Sequence, residues 1–170
     1  MLQQRMKMKR ILCCLAAVLV LGATQGWRSK SDEQLKLKCL IQLTNYSGEG
    51  AYMAASLIDQ NGVYEQTLYV MGQDEKWYNE LVSWFSFFEK KKEAVDAISG
   101  ATIAGGERTI CVLEIPKEKL DKGYKLRFET SVESQKYYED DVEVALTSAN
   151  IKGNFEGKGY IRYIRLIASN

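Results

Sequence analysis

The chain has 170 residues, 46% of them hydrophobic and 26% charged, which suits one globular domain and leaves little room for a second. Lys and Arg total 23 against 22 Asp and Glu, so no basic field exists to attract nucleic acid. Histidine is absent, which excludes a Ser-His-Asp or Cys-His catalytic site and removes the commonest metal ligand.

The first element is a targeting signal. Arg5, Lys7, Lys9 and Arg10 precede the apolar run 11–23. That run falls short of the ~20 residues of a membrane span and fits a secretory core of ~7–15. Gly22, Ala23 and Gly26 offer cleavage points. Residues 1–26 are therefore expected to be a signal peptide, with an uncleaved N-terminal anchor as the alternative, and the protein to be periplasmic or otherwise extracytosolic. Cys13 and Cys14 lie inside the apolar run and read as filler. Residues 27–34 read as a polar linker, and 35–169 as a single domain.

From Leu35 the pattern has period two. Leu35, Leu37, Cys39, Ile41 and Leu43 alternate with more polar residues, as in a half-buried strand. Asn, Ser and Gly at 45–50 mark a turn. Two further strands, 51–58 and 63–71, flank Asp59-Gln60-Asn61-Gly62, whose Asn-Gly pair signals a tight hairpin. The period then changes. Trp77, Leu81, Trp84 and Phe88 fall on one face of an amphipathic helix over 75–90, with Asp74 as its N-cap and Lys90-Lys91-Lys92 at its negative end. This stripe reads as core; Tyr78, Phe85 and Phe87 lie off it. After a Gly-rich loop, strands are expected at 109–115, 124–132, 142–148 and 160–168, separated by Pro116, Asp121-Lys122-Gly123, Asn150 and Gly153-Asn154. Tyr137, Tyr138 and Glu139-Asp140-Asp141 read as a solvated turn. Seven strands and one helix before the loop predict a mainly β fold, an immunoglobulin-like β-sandwich. Cys39 and Cys111 both sit in strand-like apolar runs, and export is compatible with either a disulfide or two buried thiols.

The loop after the helix reads Asp96-Ala-Ile-Ser-Gly-Ala-Thr102-Ile-Ala-Gly-Gly106. On its own it is a Gly-rich surface loop. Together with its surroundings it carries a resemblance. The hairpin Tyr52-Met-Ala-Ala-Ser-Leu-Ile-Asp-Gln-Asn-Gly, the tryptophan helix, Val95-Asp-Ala-Ile-Ser-Gly-Ala-Thr and Lys122-Gly-Tyr-Lys-Leu-Arg-Phe-Glu resemble the bacterial periplasmic family "domain of unknown function 2271" over about 35–169. That likeness implies a small immunoglobulin-type sandwich associated with PepSY-type membrane proteins and flavin transferases. The Trp-Asp-Gly of related members is replaced here by Val112-Leu-Glu-Ile-Pro.

The Ser-Gly-Ala-Thr core is also similar to the site where flavin transferases attach FMN to subunits of sodium-pumping and Rnf-type redox complexes. Asp96, Ser99, Gly100, Ala101 and Thr102 match that motif, which makes Thr102 the implied covalent acceptor. Ala104 departs from it, since many such sites carry another Ser or Thr there. The transferase must supply the base and Mg²⁺, because the chain has no histidine. Gly105 and Gly106 are expected to give flexibility or φ > 0, and amides of the Gly-rich turn to hold the phosphoester. Phe85 is a stacking candidate for the flavin ring. The resemblance implies an exported electron carrier serving a membrane redox partner, with no catalytic residues and no metal site of its own, and not an independent enzyme. The alternative is an unmodified immunoglobulin-like accessory module without a redox role.

Overall fold

A computed structural model describes residues 33–92 and 94–168. The expected signal peptide, and the linker up to residue 32, lie outside the described residues. Nine strands are present among the described residues: β1 (Gln34–Leu43), β2 (Tyr52–Ile58), β3 (Tyr64–Met71), β4 (Ser99–Gly100), β5 (Arg108–Pro116), β6 (Lys125–Ser131), β7 (Tyr138–Ala145), β8 (Asn154–Glu156) and β9 (Ile161–Ala168). They form two sheets, ordered β5-β1-β9-β8 and β4-β3-β2-β6-β7. All the named pairings are antiparallel except β3 with β4.

The alternation in the sequence explains the sandwich. Leu37, Cys39, Ile41 and Leu43 of β1 and Leu113 and Ile115 of β5 point inward from one sheet. They meet Met53, Ala55 and Leu57 of β2 and Leu126 and Phe128 of β6 from the other. This layer is the main core. β2 is buried on both faces, because the outer face of its sheet is covered by α1 (Val82–Lys91), the one α-helix among the described residues. A second cluster of Ala54, Val70, Tyr78, Leu81, Trp84 and Val95 fills that outer interface. The described domain thus has three layers, sheet on sheet with a helix outside. No helix among the described residues is long and apolar enough to cross a membrane.

Three expectations are corrected. The segment before α1 is not one helix: residues 75–80 wind as a 3₁₀ turn that ends at Leu81. With three residues per turn, Tyr78, Leu81 and Trp84 align at spacing three, so Tyr78 is buried and Trp77 is only half-buried. Asp74 caps this 3₁₀ turn by accepting the Lys76 amide. Next, two short strands, β4 and β8, join the seven expected. Finally, the acidic stretch 139–141 is part of β7, not a solvated turn. Between Phe128↔Val142 and Thr130↔Tyr138, four residue steps in β7 face two in β6. This bulge turns Asp141 into the protein. Its carboxylate accepts from Thr130 Oγ1 at 2.6 Å and from the amides of Lys158, Gly159 and Ile161 at 2.9, 2.7 and 2.9 Å. The turn before β9 is wrapped around it.

Candidate functional site

The motif loop is built between β3 and the start of β2. Asp96 opens a single 3₁₀ turn, Asp96–Ile98, with its side chain exposed. Its backbone carbonyl orders the turn's exit by accepting from Ser99 Oγ at 3.2 Å. Ser99 and Gly100 then pair in parallel with Val70 and Met71 as β4, and Gly72 N–H donates to Gly100 O at 2.7 Å. Only glycine fits at position 100, since a Cβ would collide with Tyr69 Oη. Ala101 is exposed.

Thr102 follows, half-buried, with its side chain against Gly50. A Cβ on Gly50 would stand 2.6 Å from Thr102 Oγ1 and 2.7 Å from its Cβ, so that glycine makes room for the Thr102 side chain. Ile103 bridges to Ala51, and its carbonyl accepts from the Ala51 amide and from Tyr46 Oη, each at 3.0 Å. The loop is therefore fixed on both sides of Thr102.

Of the two expectations for the Gly-rich tail, flexibility or φ > 0, the structure shows the second at Gly106. Gly105 lies flat against the Tyr46 backbone, with no space for a Cβ, and Gly106 adopts φ +80°. The turn's amides are already used. Ala104 N–H donates to Glu107 Oε2 at 2.8 Å, and Gly106 N–H to Thr44 O at 2.8 Å. The amides of residues 104 and 106 thus have partners within the protein, with a carboxylate on one of them. A phosphoester at Thr102 gains nothing from them. Thr102 is half-buried, with exposed Ala101 before it and exposed Ala104 two residues on, and its backbone is held by the Ile103–Ala51 bridge.

Phe85, the expected stacking partner, belongs to the helix cluster, where its ring centroid lies 6.3 Å from that of Phe88. The structure brings Asp96, Ser99, Gly100, Ala101 and Thr102 into one strip along the sheet margin and leaves Phe85 in a different contact set. Cys39 and Cys111 are directly opposite in the β1–β5 register, and both thiols are buried and free. Contact with Cys111, then burial, pushes the Cys39 thiol well above its ordinary value.

One cluster escapes sequence reading. Glu129, in β6, is fully buried beneath α1. Its carboxylate accepts from Tyr64 Oη and Tyr137 Oη, each at 2.5 Å, and from the Trp84 amide at 3.1 Å. Tyr137 Oη also accepts the Ser83 amide at 3.1 Å. Leu81, at the N-cap of α1, has no capping side chain, so Glu129 and Tyr137 cap the helix from the sheet. Burial raises the Glu129 carboxyl above its ordinary range, against the pull of these hydrogen bonds. Burial likewise raises both phenols. The only signal in the sequence was indirect: an aromatic helix must cover some sheet face, and alternation puts Glu129 on the face away from the main core.

Among the described residues no group of His, Cys, Asp or Glu could hold a metal ion. No curated protein and no solved structure matches the chain. A family model described as "Predicted periplasmic protein (DUF2271)" matches residues 34–163, which span the sandwich from β1 into β9 and include the whole motif loop. The chain belongs to this family of predicted periplasmic proteins.

Proposed function

We propose that this periplasmic protein is an electron carrier holding FMN in a phosphoester at Thr102. The observation that supports the reading is the rigid presentation of the acceptor. The threonine that closes the Asp96–Thr102 motif is half-exposed at the sheet margin, with Gly50 cleared beneath it and Ile103 bridged to Ala51. In the attachment step Thr102 Oγ attacks the FMN-side phosphorus of FAD. The new O–P bond replaces the pyrophosphate P–O bond, AMP leaves, and the hydroxyl proton passes to a base of the flavin transferase. Attached FMN supplies one- and two-electron chemistry. The chain's own residues fix the site: β4 pairing, the Tyr69–Gly100 contact and the Tyr46–Ile103 hydrogen bond hold the acceptor in place. The electron donor or acceptor in the membrane is a PepSY-type redox protein.

A second reading rests on a different surface. Ile110 and Val112 are 65% and 46% exposed on β5, which ends its sheet, and Ile167 is 47% exposed on β9 two strands away. An apolar edge of this kind suits an unmodified accessory module that docks a membrane protein by strand addition. One experiment separates the two. Co-expression with an active flavin transferase yields a yellow protein whose intact mass is raised by one FMN less water, and Thr102→Ala abolishes the gain. Unchanged mass beside a transferase that modifies a control substrate overturns the flavin reading and leaves the docking module.

A further inference from the structure

The register between β1 and β5 runs without a break from Gln34↔Pro116 to Gln42↔Arg108, and Cys39↔Cys111 lies next to its central pair, Lys38↔Val112. Directly opposed residues of an antiparallel pair have Cα atoms about 4.5–5.5 Å apart, inside the roughly 4.4–6.8 Å that a disulfide spans. Both side chains leave the sheet on the same, inner face; Cys39 is fully buried and Cys111 is 6% exposed. These are the only cysteines among the described residues. The family is periplasmic, a compartment in which paired thiols are oxidised.

We infer that Cys39 and Cys111, which this structure holds as the reduced pair, are oxidised to a cross-strand disulfide that ties the edge strand β5 to β1. Both thiols lose their protons, and the two electrons go to the disulfide of an extracytosolic thiol oxidase, which becomes a dithiol. One thiolate attacks that disulfide to give a mixed disulfide, and the second displaces the oxidant's thiol and closes the bond. Burial bars an external disulfide from the folded core. The bond therefore forms while β1 and β5 are still open to solvent, and once inside it resists soluble thiols.

The consequence reaches the motif loop. β5 begins just after it, at Arg108, and Tyr69 packs against the main core that contains Cys111 while its hydroxyl lies against Gly100. Bonding β5 to β1 steadies the platform under Thr102. The inference does not depend on flavin attachment.

The test uses the full chain exported to the periplasm. Without reductant, peptide mapping is expected to yield one linked species containing Cys39 and Cys111. In denaturant neither residue takes up an alkylating maleimide until a reductant is added. Reduction is expected to lower the thermal midpoint of the wild-type protein and to leave a Cys39→Ser/Cys111→Ser variant unmoved. Hydrogen exchange at residues 99–106 is expected to speed up in that variant. The inference is overturned if both cysteines of the exported wild-type protein alkylate in denaturant without reductant, and remain alkylatable after refolding with glutathione disulfide. The wild-type map decides the matter even where the double variant folds poorly.

Discussion

Gly50 and Thr102 show how a site can be legible as a motif yet illegible as a shape. The run from Asp96 to Thr102 stands out in sequence because its residue types recur at flavin-acceptor sites. Its conformation is set by Tyr46, Gly50 and Tyr69, all well upstream of the run, and nothing local announces them. Gly-rich composition suggested mobility or a positive φ at 105–106; the structure has close backbone approach at Gly105 and a left-handed turn at Gly106. Gly50→Ala would place a methyl 2.6 Å from Thr102 Oγ1, with bridged backbone following on either chain. The expected cost is about 1–3 kcal/mol, as for other overpacked sites. Adding Thr102→Gly removes both clashing atoms. The double variant is therefore expected to recover most of that loss relative to Thr102→Gly alone, a coupling that urea denaturation of the four-protein cycle measures. Additive losses would show that the side chain swings clear and that Gly50 does not position it.

At the scale of elements, the strands were legible and the helix was half legible. Strict alternation along β1 fixed its inner face, and Asn61-Gly62 marked the hairpin, because side-chain burial and turn chemistry are local properties. The helix failed at its beginning. A 3.6-residue period assigned Trp77 to the buried stripe, whereas a 3₁₀ turn gives that place to Tyr78, whose hydroxyl reaches Gly72 O at 3.0 Å. How α1 starts depends on Glu129 and Tyr137, far along the chain. Glu129→Ala would remove the acceptor of the half-buried Tyr64 and Tyr137 hydroxyls and of the buried Trp84 amide, at an expected cost of about 3 kcal/mol. The pH dependence has a definite sign. With its folded value raised, Glu129 holds its proton more tightly in the native state than in the unfolded chain. Its contribution is fully present below the unfolded carboxyl value and is lost as pH rises through the folded one. Glu129→Gln cannot titrate, so the stability gap between wild type and this variant is expected to shift against the wild type from about pH 4 towards neutrality. Urea midpoints across that range check it; parallel curves would refute the raised value.

At the scale of the molecule, the two hydrophobic clusters share a sheet but no face. The main core lies between the sheets and draws on both; the outer cluster joins β2 and β3 to the 3₁₀ turn and α1. Sequence could find the long strands and the helix but not layer them, since a strand buried on both faces, such as β2, looks the same whether its outer cover is a helix or a third sheet. The layering implies unequal stability. Trp84 is the largest fully buried side chain, stacked 5.0 Å from Phe88, with Nε1 donating to Thr67 Oγ1 at 3.0 Å and its amide held by Glu129. Trp84→Ala is expected to cost about 3–5 kcal/mol. Much of the loss should fall on the helix layer, because the β1–β5–β9 side of the sandwich makes no use of that ring. Native-state hydrogen exchange should then show residues 82–91 losing protection by far more than β1, β5 and β9. Equal loss throughout would mean that the helix and the sandwich fold as one cooperative unit, and that Glu129, buried between them, couples the layers rather than merely capping one of them.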